Sequence, residues 1–218
     1  MDTIYLAAGV GNRMKMELPK QFMPLYGKPI MVYALDVLEK IESIENIYIM
    51  CHPDFMDMYE KILEDYRLEK CTLVAGGETR QDSVQNGLAH VKSDRVLIHE
   101  AARPLISEEL VNGLLQHTDP AVVPTIPVTF TVSAGDDVMT EELDRSKLHN
   151  VQLPQVFDTE ILRRAHKAAQ DEGYNATEDG ILVFRIGETV RFIQGAENNI
   201  KITTPFDKII VERMLDGQ

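Results

Sequence analysis

A mostly parallel α/β sheet with helices on both faces is the fold class that the sequence predicts, and three observations predict it. Five short β-branched or apolar runs, at residues 3–7, 46–50, 71–75, 95–99 and 121–125, have strand length and recur through the first 125 residues. Between them apolar residues return at spacings of three and four, as in Met31, Ala34, Leu35, Leu38 and Ile41, then Met56, Tyr59, Ile62 and Leu63, which marks helices with one buried face. The 218 residues are 44% hydrophobic and 26% charged, enough to bury one sizeable core, so a single domain over residues 1–218 is expected. Repeated strand-helix units of this length place strands parallel and sandwich the sheet.

The remaining elements follow from local signals. Asp82 or Ser83 is expected to cap a helix running through Leu88, and Ser107 with Glu108 and Glu109 opens another that carries Leu110, Leu114 and Leu115. After Pro127 the pattern changes: residues 128–154 hold Thr, Val, Ser and Gly, then an acidic stretch at 141–144, then Arg145 and Lys147, with no run able to fill a core. Such a stretch is an extended hairpin arm or a loop. Its length without structure favours an arm with a partner or a ligand. Helical periodicity returns at 158–169, and Glu178 and Asp179 load a helix N-terminus after Thr177. A strand at 190–194 and a final helix opened by Thr204-Pro205 complete the chain, without internal repeats.

Charge narrows the function classes. Lys and Arg number 22 against 35 Asp and Glu, a net charge of -13, which disfavours a broad nucleic-acid surface. Any anionic ligand must be met by a local group of cations. Residues 1–30 supply one: Arg13, Lys15, Lys20 and Lys28 against Asp2 and Glu17 make this segment +2, while the other 188 residues carry -15. No window approaches the roughly 18–20 apolar residues of a membrane span and no basic leader precedes the first apolar run, so a cytoplasmic protein is expected. Cys51 and Cys71 lack metal-ligand spacing and are expected to be small core residues.

The chemistry is concentrated where the first strand ends, in Leu6-Ala7-Ala8-Gly9-Val10-Gly11-Asn12-Arg13-Met14 followed by Pro19-Lys20-Gln21. Ligands of open parallel sheets bind beyond the carboxyl ends of the strands. Ala7, Ala8 and Gly9 let backbone approach a ligand, and Gly11 permits a turn that aims N–H groups at an anion. Met14 occupies the third glycine position of a dinucleotide GxGxxG, and no Gly-Lys-Ser/Thr closes a Walker A loop, so both motifs are excluded. Arg13 can fork across two phosphate oxygens with Lys20 beside it as a point charge, which makes a polyphosphate cradle.

These residues resemble the opening of nucleotidyltransferases that activate sugar and polyol phosphates, above all the cytidylyltransferases acting on 2-C-methyl-D-erythritol 4-phosphate and on ribitol 5-phosphate. The resemblance continues in family order through residues 76–84 (Gly-Gly-Glu-Thr-Arg-Gln-Asp-Ser-Val), His99-Glu100-Ala101-Ala102-Arg103-Pro104, Asp144-Arg145, Pro154-Gln155, Thr177-Glu178-Asp179 and Asn199-Ile200-Lys201. The run at 80–83 and Ala102 before Arg103 lean toward the methylerythritol branch. The resemblance implies a Rossmann-like nucleotidyltransferase sheet with a protruding β-arm, and transfer of CMP from CTP to a polyol phosphate with Mg2+. It assigns Arg13 and Lys20 to the triphosphate and Thr131, Arg145, Thr177 and Lys201 to the acceptor. Ala7, Ala8, Gly77, Glu78 and Ser83 would enclose cytosine and ribose, Glu100 would meet the nucleotide or the metal, and Arg103 would brace its loop. The arm at about 128–154 would cross to a second subunit, making a homodimer with shared active sites; a flexible lid on a monomer is the alternative. His99 is expected to be structural.

Three departures bear on the acceptor. Phe130 stands where the family has Asp, Leu153 where it has Thr, and Glu100 where it has Asp. Methylerythritol phosphate remains the leading acceptor, with ribitol phosphate or another polyol phosphate the alternative. A catalytically inactive nucleotide-binding regulator is the alternative from another class.

Overall fold

Strand β1 (Asp2–Leu6) occupies the middle of an eight-stranded mixed sheet. The computed structural model describes residues 1–9 and 18–216. After a small antiparallel pair, β2 (Pro24–Leu25) and β3 (Lys28–Pro29), the chain alternates α1 (Ile30–Lys40), β4 (Asn46–Cys51), α2 (Met56–Tyr66), β5 (Cys71–Ala75), α3 (Arg80–Leu88), β6 (Arg95–Glu100), α4 (Glu108–Leu115) and β7 (Ala121–Pro127). β1 pairs in parallel with β4 and β6, and β4 with β5.

Period-two alternation explains why these runs are apolar almost throughout. In β1, Ile4 faces one core and Tyr5 the other; in β4, Ile47 and Ile49 face one and Tyr48 and Met50 the other; in β6, Leu97 opposes Val96 and Ile98. One core is closed by α1, α2 and α4 through Leu35, Leu38, Tyr59, Val111 and Leu114. Its opposite is closed by α3 through Val84 and Leu88, by α5 (Thr159–Glu172) through Leu162 and Ala165, and by α6 (Asp179–Arg185) through Leu182 and Val183. A smaller third cluster, with Leu25, Ile30, Ile202 and Val211, seats the terminal helix Pro205–Asp216.

The stretch after β7 forms the arm. β8 (Ser133–Ala134) and β9 (Glu141–Glu142) pair in a small antiparallel ribbon away from the main sheet, and Phe130, Val138 and Met139 are 83%, 72% and 73% exposed. The chain rejoins the sheet at β10 (His149–Val151), earlier than the predicted boundary at 154; Gln152 and Leu153 are buried. β11 (Gln155–Asp158) then runs antiparallel between β6 and β7, and β12 (Val190–Gln194) runs parallel along β7. The sequence pattern predicts no strand at β11.

Capping supplies a second correction. Thr79, not Asp82 or Ser83, caps α3: its hydroxyl accepts from the Asp82 N–H while the Asp82 carboxylate accepts from the Thr79 N–H. Ser107 caps α4 as expected. Among the described residues no helix is long and apolar enough to cross a membrane. Cys51 is buried, whereas Cys71 is only partly so.

Candidate active site

A cleft of about 260 Å³ opens at the carboxyl ends of the parallel strands. The end of β1 contributes Leu6, Ala7, Ala8 and Gly9; the β5–α3 turn contributes Gly77, Glu78, Thr79, Arg80 and Ser83. The end of β6 contributes Glu100, Ala101 and Ala102, and Lys20, Gln21 and Lys201 complete the walls. Sequence reasoning thus places Ala7, Ala8, Gly9, Lys20, Gly77, Glu78, Ser83, Glu100 and Lys201 where the structure brings them together. Gly11 and Arg13 lie outside the described residues.

Hydrogen bonds brace the backbone of two of these walls. The Ala7 carbonyl accepts from the Gln21 amide and from the Tyr59 hydroxyl, the latter at 2.7 Å, and Gln21 also donates to Tyr59 Oη at 2.8 Å. That buried knot fixes the peptide from which the phosphate-cradle segment departs. Gly76 allows the β5–α3 turn to press against it, since a Cβ there would lie 2.5 Å from Ala8 Cβ, and Gly77 lets the turn close on α3, where a Cβ would lie 2.2 Å from Asp82 Cβ. Ser83 Oγ accepts from the Gly77 N–H at 3.0 Å and donates to the Thr79 carbonyl, so the turn is braced from within.

Glu100 is the electrostatic hub. One carboxylate oxygen meets Lys201 Nζ at 2.6 Å and the other meets Arg103 Nε at 3.0 Å. Burial would raise its pKa, but Lys201 and Arg103 more than offset that and hold it below the usual carboxylate range. Arg103 continues outward, donating to the Asn199 carbonyl at 2.8 Å and to the Val151 carbonyl at 3.4 Å, which braces the loop as expected. Lys20 Nζ donates to the Ile202 carbonyl at 3.1 Å, so the two cleft lysines are tied to one segment.

The acceptor-side expectations divide. Lys201 is in the cleft, whereas Thr131 and Arg145 are exposed on the arm, Arg145 Nη1 donating to the Thr129 carbonyl at 2.9 Å. Thr177 is exposed and does not line the cleft of its own chain. Leu153 packs in the core beside Phe157, so the hydroxyl it lacks is not one facing this cleft. Sequence reasoning missed Thr79, Arg80 and Gln21 as wall residues, although all three stand inside motifs it singled out. Among the described residues no three His, Cys, Asp or Glu side chains converge as a metal site.

An α/β sheet with a small-residue loop at the end of its first strand, two lysines and a paired carboxylate around one cleft defines a nucleotidyltransferase. The family model for IspD, 2-C-methyl-D-erythritol 4-phosphate cytidylyltransferase, matches residues 1–217. The cytidylyltransferase of that name from Geobacillus kaustophilus is 39% identical over 98% of this chain and 96% of its own. That from Dictyoglomus thermophilum is 40% identical over 97% and 95%. The crystal structure of 4-diphosphocytidyl-2C-methyl-D-erythritolsynthase from Anaerococcus prevotii superposes with a TM-score of 0.88 at 28% identity, covering 99% of this chain and 95% of that one. The chain belongs to the 2-C-methyl-D-erythritol 4-phosphate cytidylyltransferase family, and it is an enzyme of the transferase class.

Beneath the hub lies His99, fully buried, whose Nε2–H donates to the Arg103 carbonyl at 3.0 Å. Burial pushes its pKa down to about 4, only partly opposed by that bond. The unfolded chain therefore takes up a proton that the folded one refuses between about 6.5 and 4. Stability supplied by the neutral ring is complete above pH 6.5 and falls by up to about 3 kcal/mol as pH drops through that window. Urea unfolding across pH 4 to 7 measures the slope, and His99→Gln should flatten it; an unchanged slope places the source elsewhere.

Proposed function

We propose that this protein transfers CMP from CTP to 2-C-methyl-D-erythritol 4-phosphate, releasing pyrophosphate, in the synthesis of isoprenoid precursors. The observation that carries this is the convergence of Lys20 and Lys201, from opposite ends of the chain, on one cleft built from the small residues of β1 and the β5–α3 turn. An oxygen of the acceptor's phosphate monoester attacks the α-phosphorus, a new P–O bond forms, and the bond to the pyrophosphate leaving group breaks. The acceptor's second pKa is about 6, so it arrives largely as the dianion and needs no general base. What the site must supply is placement of two anions in line and relief of their repulsion. Lys20, with Arg13, serves the triphosphate; Lys201 receives the acceptor phosphate, exchanging its partner Glu100 for a phosphate oxygen.

Mg2+ fits this donor set. Glu78 and Glu100 offer hard oxygens at the cleft, and Mg2+ commonly takes one or two carboxylates together with substrate phosphates. When bound it neutralises charge on the transferring phosphates.

The arm acts in trans in this proposal: a second copy receives Thr131 and Arg145, and the homodimer shares its active sites. Support comes from Phe130, Val138 and Met139, large apolar side chains left exposed on the same arm as Arg145, which does not line its own chain's cleft.

Pyrophosphate release is expected with CTP and methylerythritol phosphate, and less with UTP or with ribitol 5-phosphate; no release with any pair, from folded protein with Mg2+, would sink the proposal. Lys201→Ala should lower turnover about 100-fold or more while the protein remains folded. Mixing Arg13→Ala and Arg145→Ala chains should restore activity through hybrid dimers. Mixed chains that stay inactive would put both residues in one chain's site.

A further inference from the structure

One buried charged group next to the cleft is unused by the mechanism above. Asp179, wholly buried at the start of α6, meets Arg80 Nη2 at 2.7 Å through Oδ2 and accepts from His166 Nε2 at 2.9 Å through Oδ1. His166 itself is buried in α5, and its Nδ1 has no partner among the described residues. Three helices, α3, α5 and α6, thus each give one side chain to a chain of contacts that ends at the cleft wall. Burying such a group costs more than burying apolar side chains of the same volume, so stability alone is a poor reason for it. Only its last member is accessible: the Arg80 side chain is 25% exposed and lines the cleft. Nη2 is engaged by Asp179, and among the described residues Nε and Nη1 make no hydrogen bond. A guanidinium held through one nitrogen, with its remaining donors unspent beside a cleft that must collect phosphates, suits a planar oxyanion contact.

We infer that Arg80 is a further phosphate-binding cation of the cleft, with Asp179 as its positioning residue and His166 fixing Asp179 in turn. This rests on the proposed cytidylyl transfer. The phosphate belongs either to the triphosphate of CTP or to the acceptor's monoester, chemistry that Arg80 would meet in the same way. Arg80 and Glu100 line the same cleft. Burial works against the Asp179 charge, yet Arg80 and His166 bring its pKa to about 2, so the carboxylate stays ionised and Arg80 stays anchored through the neutral range.

The test separates the sources and the roles. Arg80→Lys keeps a cation for Asp179 but cannot serve it and a phosphate with one planar fork. It should unfold at the parental urea concentration and weaken either CTP binding by calorimetry or the KM for methylerythritol phosphate by about ten-fold or more. Cytidine, which carries no phosphate, should bind with unchanged affinity if its binding is detected in the parent. Asp179→Asn should show the same selective loss, and the double variant should lose no more than Arg80→Lys alone. Loss on CTP assigns Arg80 to the nucleotide, and loss confined to the acceptor KM assigns it to the monoester. Parental CTP affinity and acceptor KM in Arg80→Lys, or an equal loss on cytidine, would overturn the inference and leave the group a structural clamp. Failure of cytidylyl transfer itself would show separately, as a parent protein that releases no pyrophosphate.

Discussion

The Glu100 carboxylate, bridged between Lys201 and Arg103, is the contact on which the cleft depends. It ends β6, a strand paired on both sides, with β1 and with β11. Through Lys201 it reaches the loop before the terminal helix, and through Arg103 it reaches the carbonyls of Asn199 and Val151. Two segments distant in sequence, at 199–201 and at Val151, are thereby registered against one carboxylate. Removing the shared carboxylate would leave Arg103 and Lys201 without their anionic partner, a larger penalty than the loss of one contact. The substitution of Glu for the family's Asp keeps that charge and lengthens its reach by about one methylene.

Around this hub, braced backbone of the β1 end and the β5–α3 turn forms part of the cleft wall. Gln21 and Tyr59 hold the Ala7 carbonyl, Ser83 and the Thr79–Asp82 box hold the β5–α3 turn, and the absent side chain of Gly76 lets the two segments touch. Backbone groups positioned in this way cost little reorganisation when charge builds during phosphoryl transfer. It also explains how a chain of net charge -13 can bind two anions: the field is made locally, by a few cations whose own partners are inside the protein.

Much of this was legible in the sequence, for physical reasons. Strands buried on both faces leave continuous apolar runs, so 46–50 and 95–99 fall within β4 and β6. The phosphate-cradle segment was legible because glycine, alanine and paired cations have few other uses at a strand end. β11 was not, because Gln155-Val156-Phe157 is short, follows a proline and is stabilised by antiparallel neighbours on both sides, Ile98 and Val122 among them. The cap of α3 was placed three residues late because Thr79 and Asp82 are both good capping residues, and only their reciprocal bonds decide the order. Arg80 was visible as a motif residue, but its partner is 99 positions away, and no local spacing announces a pair made by helix packing.

The central claim is that the Glu100 bridge orders the cleft from behind, and Arg103 tests it most directly because Arg103 does not line the cleft. Arg103→Lys keeps the charge beside Glu100 but cannot also reach both the Asn199 and Val151 carbonyls. Steady-state kcat/KM for the acceptor in this variant is the decisive measurement. The account predicts a fall of about ten-fold or more in a protein that remains folded. Parental kcat/KM would contradict it.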